Sequence, residues 1–123
     1  MEAEEEGGVS SKVLKVDSEE AWDSFITKQH TQGIPVFVHF TAAWCVPSIA
    51  MNAFFEELAI KYQNIIMFLL VDKVAKKMEV KAMPTFVLIK DGKEVDRMVG
   101  ANPEEINKRI HAFLQPLNQL NSE

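Results

Sequence analysis

Cys45 is the only cysteine among 123 residues. In "FTAAWCVPSIA", Phe40 to Ala50, Ser48 stands where a second thiol would complete a Cys-x-x-Cys redox pair. A thiolate attacks a disulfide to form a mixed disulfide, and a serine hydroxyl cannot resolve it. The chemistry open to the chain is therefore one-thiol exchange, with the second attack made by another thiol. A second thiol on the substrate gives disulfide isomerisation, and glutathione gives slow reduction that depends on an external thiol. Pro47 suits the first turn of a helix. Cys45 would then face unpaired N–H groups and the positive end of a helix dipole, which favour a thiolate. Ser48, one turn on, has a hydroxyl that can donate a hydrogen bond to the sulfur. The plain alternative is a small residue at a helix start with no chemistry.

His39 lies six residues before Cys45. It has two readings. In one it buffers or accepts the proton of Cys45 near neutral pH. In the other, which the residue pattern favours, it is a neutral core histidine satisfied by one or two hydrogen bonds. His30, His39 and His111 show no metal-ligand spacing with one another or with Cys45, so no metal is expected. Lys73, Lys76, Lys77 and Lys81 read as a solvated helix face.

These residues need elements to position them. Ser11 to Val16 reads as a short strand. Asp17 or Ser18 can cap a helix with Glu19 and Glu20 in its first turn, ending near Gln32-Gly33. "PVFVHFT", Pro35 to Thr41, is an apolar run suited to a central strand covered on both faces. The helix from Pro47 continues to about Tyr62, with Phe54, Phe55, Leu58, Ala59 and Tyr62 on its apolar stripe. "IIMFLLV" is a further buried strand. "DKVAKKMEV" leaves room for only two helical turns. "TFVLIK" and "KEVDRMV" flank Asp91-Gly92, a strong hairpin signal. Asn102 caps a last helix, with Pro103 at its first position and Ile106, Ile110, Phe113 and Leu114 inward. The order is β-α-β-α-β-α-β-β-α: an α/β sheet, partly parallel, with an antiparallel edge and helices on both faces.

Composition sets outer limits. Hydrophobic content of 47% and charged content of 25% suit one soluble globular domain. The net charge is −5, and Glu2, Glu4, Glu5 and Glu6 supply most of it. The rest is near neutral, which argues against nucleic acid and gives no reason to expect an anionic membrane surface. Met1 to Ser11 is acidic and lacks the apolar core of a secretory leader, so a cytoplasmic protein is expected. The expected boundaries are an acidic disordered tail over 1–10, one domain over 11–116 and a frayed end over 117–123.

The element order, with "WCVPS" between a strand and a helix and "MPTF" opening the hairpin, resembles thioredoxin from about Val13 to Leu114. "HFTAAWC", "FFEELA", "KAMPTF", "DGKEV" and "VGANPEEI" look most like the cytosolic h-type plant thioredoxins. Ser48 narrows the likeness to the plant Cys-x-x-Ser, or monocysteinic, thioredoxin-like proteins. The resemblance implies a thioredoxin fold with a central five-stranded mixed sheet. It implies a cis bond between Met83 and Pro84 beside Cys45. It also implies a shallow groove for an extended protein substrate, lined by Trp44, Val46, Met83, Pro84, Gly100 and Ala101. The catalytic set would be Cys45, Ser48 and Pro47, with His39 in a place where thioredoxins usually hold a buried aspartate. The partners would be proteins carrying disulfides or thiols. No bound cofactor is expected, and glutathione enters only as an external thiol.

Three departures from that pattern stand out: Ser48 with His39, Ala53 where a helix-kinking proline is usual, and a crossover after Val71 about five residues short by that resemblance. Ala53 predicts a straighter long helix. The short crossover predicts a stub third helix and lowered local stability. The leading functional reading is a monothiol disulfide isomerase with weak or no dithiol reductase activity. The alternatives are a non-catalytic substrate-binding module or holdase, and a glutathione-dependent monothiol oxidoreductase. An iron–sulfur cluster shared with glutathione is a further option, and Pro47 and Pro84 beside the thiol count against it.

Overall fold

The computed structural model describes residues 13–42, 45–72 and 79–122, the side chains of 30, 31 and 116–122 excepted. The strands are β1 (Val13–Val16), β2 (Val36–Phe40), β3 (Met67–Val71), β4 (Thr85–Lys90) and β5 (Lys93–Val99). They form one sheet in the order β1-β3-β2-β4-β5. β3 pairs in parallel with β1 and β2, while β4 runs antiparallel to β2 and β5. The helices are α1 (Glu19–Gln32), α2 (Val46–Ala50), α3 (Asn52–Tyr62) and α4 (Pro103–Ser122).

β2 lies at the centre, and all five of its residues are buried. Side chains alternate along a strand, so β2 feeds two cores. Val36, Val38 and Phe40 join Val16, Leu69 and Val87 on the side that receives Trp22 of α1. The Trp22 and Phe40 rings lie 5.9 Å apart. Phe37 faces the other side and packs with Phe55, Phe68 and Phe86 at centroid separations of 5.8, 6.0 and 5.8 Å. Ile106, Ile110 and Leu114 of α4 close that core. Aromatic pairs at these separations contribute about 0.5–1.5 kcal/mol each beyond simple burial.

Local signals place the helix starts where the sequence predicts them. Ser18 Oγ accepts a hydrogen bond from the Ala21 N–H at 3.1 Å. Asn102 Oδ1 accepts one from the Glu105 N–H at 3.1 Å. At the hairpin, Asp91 and Gly92 both take positive φ, 56° and 78°, as a two-residue turn matched to strand twist requires. Arg109 ties α4 to β5 by donating to Asp96 at 2.5 Å, and within α4 it donates to Glu105 at 2.7 Å.

One expectation needs revision, and two fall wholly or mostly outside the described residues. The helix after Pro47 is not one straight element: it divides at Met51 although Ala53 is not proline. The Met51 N–H donates to the Ser48 carbonyl, three residues back, at 3.2 Å. This tightened turn, with ψ of −4° at Met51, buries the methionine to 4% exposure. α3 then restarts with the Phe55 N–H donating to the Met51 carbonyl at 2.9 Å. The α4 backbone is helical through Ser122. Pro116 forfeits one hydrogen bond, and helical geometry persists past it. Most of the stretch expected to form the stub helix, residues 73–78 of "DKVAKKMEV", and the acidic tail over residues 1–10 lie outside the described residues.

Candidate active site

β2 ends at Phe40, and the sheet pattern runs one residue further. The Thr41 N–H donates to the Val71 carbonyl at 2.8 Å. The chain then turns, with the Cys45 N–H bonded to the Ala42 carbonyl at 3.0 Å. Cys45 is the residue that caps α2, with φ −108° and ψ 106°, and Pro47 sits in the helix's first turn. The thiol is partly exposed. It makes no capping bond to the helix and donates instead to the Met83 carbonyl at 3.4 Å.

That carbonyl belongs to a second segment. The Met83–Pro84 bond is cis. Thr85 Oγ1 donates to the Ala82 carbonyl at 2.6 Å, bracing the turn from within. A third segment follows β5, where the Gly100 N–H donates to the Pro84 carbonyl at 2.9 Å. Gly100 has φ of +111°, a conformation that L side chains rarely adopt. Backbone hydrogen bonds and one thiol bond thus hold three distant pieces of chain together around the sulfur. Val46 is 77% exposed and Val99 is 63% exposed, giving the rim an apolar surface. Ile49, one turn from Cys45, is 45% exposed and adds to it.

Ser48 takes another position from the one its spacing suggests. Its side chain is fully buried, and its hydroxyl donates to Thr41 Oγ1 at 2.7 Å. The expected bond to the Cys45 sulfur is replaced, because a hydroxyl has one proton and Thr41 receives it. Thr41 was not singled out from sequence. Its signal is the alternation of β2, which puts Phe37, His39 and Thr41 on one face.

His39 is completely buried. Its ring stacks on Phe86 at 4.4 Å and meets the Phe55 ring edge-on at 5.2 Å. Both ring nitrogens lack a hydrogen-bond partner among the described residues, so the one or two bonds expected for a satisfied core histidine are not found there. Burial among apolar rings pushes its pKa down to about 4. The ring is neutral at physiological pH and titrates well below the range needed to buffer a thiol near pH 7. Of the other expected site residues, Pro84 is buried, Gly100 is half-buried and Ala101 is exposed. Trp44 lies outside the described residues.

A family model described as thioredoxin matches residues 12–112. The chain belongs to the thioredoxin family. Among curated thioredoxin relatives, Thioredoxin-like protein CXXS1 of Arabidopsis thaliana is 49% identical over 110 residues, covering 85% of this chain and 92% of that one. Thioredoxin-like protein CXXS1 of Oryza sativa subsp. japonica is 49% identical over 118 residues, covering 91% and 88%. Among solved thioredoxins, a crystal structure of a poplar wild-type thioredoxin h superposes with a TM-score of 0.79 at 34% identity, covering 85% of this chain and 97% of that one. The five-stranded mixed sheet is therefore the thioredoxin fold, with one thiol on it. No helix among the described residues is long and apolar enough to cross a membrane.

Proposed function

We propose that this thioredoxin-family protein carries out monothiol thiol–disulfide exchange through Cys45 and acts as a protein disulfide isomerase. The observation that carries the reading is the asymmetry of the pair: Cys45 is accessible beside Met83 and Pro84, while Ser48 is buried and bonded to Thr41. The Cys45 thiolate attacks one sulfur of a substrate disulfide. A bond forms between Cys45 and that sulfur, and the other substrate sulfur leaves as a thiolate. With no resolving thiol in the chain, this thiolate or another on the substrate attacks the mixed disulfide. A new substrate disulfide forms and Cys45 is released, so no net oxidant or reductant is consumed. Where glutathione makes the second attack instead, the substrate leaves reduced and a glutathione mixed disulfide must be cleared by further thiol.

Val46, Met83, Pro84, Gly100 and Ala101 form the platform for an extended protein segment. Pro47 stiffens the helix start. Ser48 acts from below, by fixing α2 against β2 through Thr41. His39 fills the core beneath as a neutral ring. The reading requires no bound cofactor and places the protein in the cytoplasm, with glutathione as the available external thiol.

Refolding of scrambled ribonuclease tests the proposal. The wild-type chain is expected to restore ribonuclease activity, and Cys45→Ser to lose that effect, while both reduce insulin poorly. Equal rescue by Cys45→Ser would instead leave a substrate-binding holdase that works without turnover.

A further inference from the structure

Residues 79–84 carry the Met83 carbonyl that accepts the Cys45 thiol, so the anchoring of this segment decides where that carbonyl lies. Val80 and Met83 pack against the core on the Trp22 side, and Thr85 holds the Ala82 carbonyl. The start of the segment is held differently. Glu79 is exposed, and its backbone takes φ of 56°. That left-handed conformation is costly for a residue with a side chain and free for glycine.

Arg97 of β5 reaches this residue. Its Nη1 donates to the Glu79 carbonyl at 3.4 Å. The other edge of the same guanidinium is fixed, because Nε and Nη2 donate to the two carboxylate oxygens of Glu94, each at 2.8 Å. A planar fork held at two points by a carboxylate is already aimed, so little side-chain freedom is lost when a third bond forms. Charge acts in the same direction. Hydrogen bonding to Glu94 raises the Arg97 pKa, and the nearby Glu79 carboxylate adds to the rise. Arg97 also pairs with Val87 of β4 in the sheet register. The clamp is therefore carried by the two strands that lead out of Pro84 and into Gly100.

We propose that Arg97 is a positioning residue for the exchange chemistry: with Glu94 it fastens Glu79 to β5, and so fixes the Met83 carbonyl and the Pro84 wall beside Cys45. It acts through the segment and not on the sulfur. Without the clamp, the left-handed Glu79 relaxes and the Met83 carbonyl leaves the thiol, whose sulfur is then freer to meet a reagent. The role rests on the exchange reading above, but its test makes no use of isomerase activity.

Native-state amide exchange on the full-length, reduced protein tests this. The Gly100 N–H is bonded to the Pro84 carbonyl, so it reports departure of the segment. The Met98 N–H, two residues earlier, reports on β5 itself. Arg97→Ala should speed Gly100 exchange roughly five-fold, the worth of about one net hydrogen bond, with Met98 and the β2 amides unchanged. Iodoacetamide should alkylate Cys45 roughly two-fold faster or more, as the sulfur loses its acceptor. Arg97→Lys keeps the charge and loses the fork, and it should fall between. Adding Glu79→Gly to Arg97→Ala removes the backbone strain and should bring Gly100 back to within about two-fold of wild type. A defect seated in β5 would not respond to that change. Unchanged Gly100 exchange in Arg97→Ala, equal acceleration of Gly100 and Met98, unaltered alkylation, or no recovery with Glu79→Gly would each overturn the proposal. Failure to rescue scrambled ribonuclease, with these results intact, would remove the isomerase reading and keep the clamp.

Discussion

The hydroxyl pair of Ser48 and Thr41 is the smallest unit on which the thiol's placement depends. At 2.7 Å and fully buried on the serine side, it joins α2 to the end of β2. Ser48→Ala removes the donor and leaves Thr41 without it, so a loss of about 1–2 kcal/mol is expected in urea unfolding. The double change Ser48→Ala with Thr41→Val makes both positions apolar, and it should recover most of that loss. If the double variant is as unstable as the two losses added together, the pair is not coupled. His39 supports a second prediction at this scale. Its pKa falls from the ordinary 6.5 to about 4 on folding, through burial. Between those values the unfolded chain holds a proton that the native ring does not, so acid favours unfolding. Stability should therefore fall by up to roughly 1.4 kcal/mol per pH unit as pH drops from about 6.5 towards 4. His39→Phe puts a third apolar ring beside Phe55 and Phe86, and it should flatten this part of the pH–stability curve. A slope that persists unchanged in the variant would assign the effect to other groups.

Among the elements, the division at Met51 separates what sequence discloses from what it conceals. Strands, hairpin and helix caps are legible because local chemistry decides them: Ser18, Asn102 and Asp91-Gly92 act within a few residues. β2 is legible as a central strand because every one of its residues is apolar or able to be buried. The break between α2 and α3 is not, because it depends on Met51 turning into a core that Phe55 and Leu58 also fill. The Ser48–Thr41 pair is hidden for the same reason, since it joins side chains seven residues apart through the packing of a helix on a strand. The meeting of Cys45 with Met83 spans 38 residues, and only the likeness to thioredoxin foretells it. The break also makes a prediction. Ala53 is the second residue of α3, in a first turn where proline is tolerated. Ala53→Pro should change stability by no more than about 1 kcal/mol. Glu57→Pro, exposed but in the middle of the same helix, should cost about 3 kcal/mol or more. Chemical denaturation of the two variants side by side decides it, and equal losses would mean that the helix is continuous through Met51.

For the molecule as a whole, one thiol on a thioredoxin fold separates redox chemistry from folding stability. A dithiol family member can gain or lose an internal disulfide, and a disulfide shifts the unfolding equilibrium by constraining the unfolded chain. This chain has a single cysteine, so oxidation cannot close an internal loop. Its core consists of two apolar clusters on either side of the sheet and contains no sulfur–sulfur bond. Disulfide exchange with an oxidised thiol can therefore add only at the partly exposed Cys45. Treatment with glutathione disulfide is expected to give one adduct per chain by intact mass. The denaturation midpoint of the unmodified protein should be the same with or without dithiothreitol. Cys45→Ser should abolish the adduct and keep the midpoint within about 1 kcal/mol of stability, as a change at a half-exposed helix start would. Glutathione should then clear the adduct at a rate set by its own concentration, because the buried Ser48 hydroxyl offers no internal route. Clearance independent of added thiol would require a resolving group that this chain does not contain, and it would overturn the monothiol cycle.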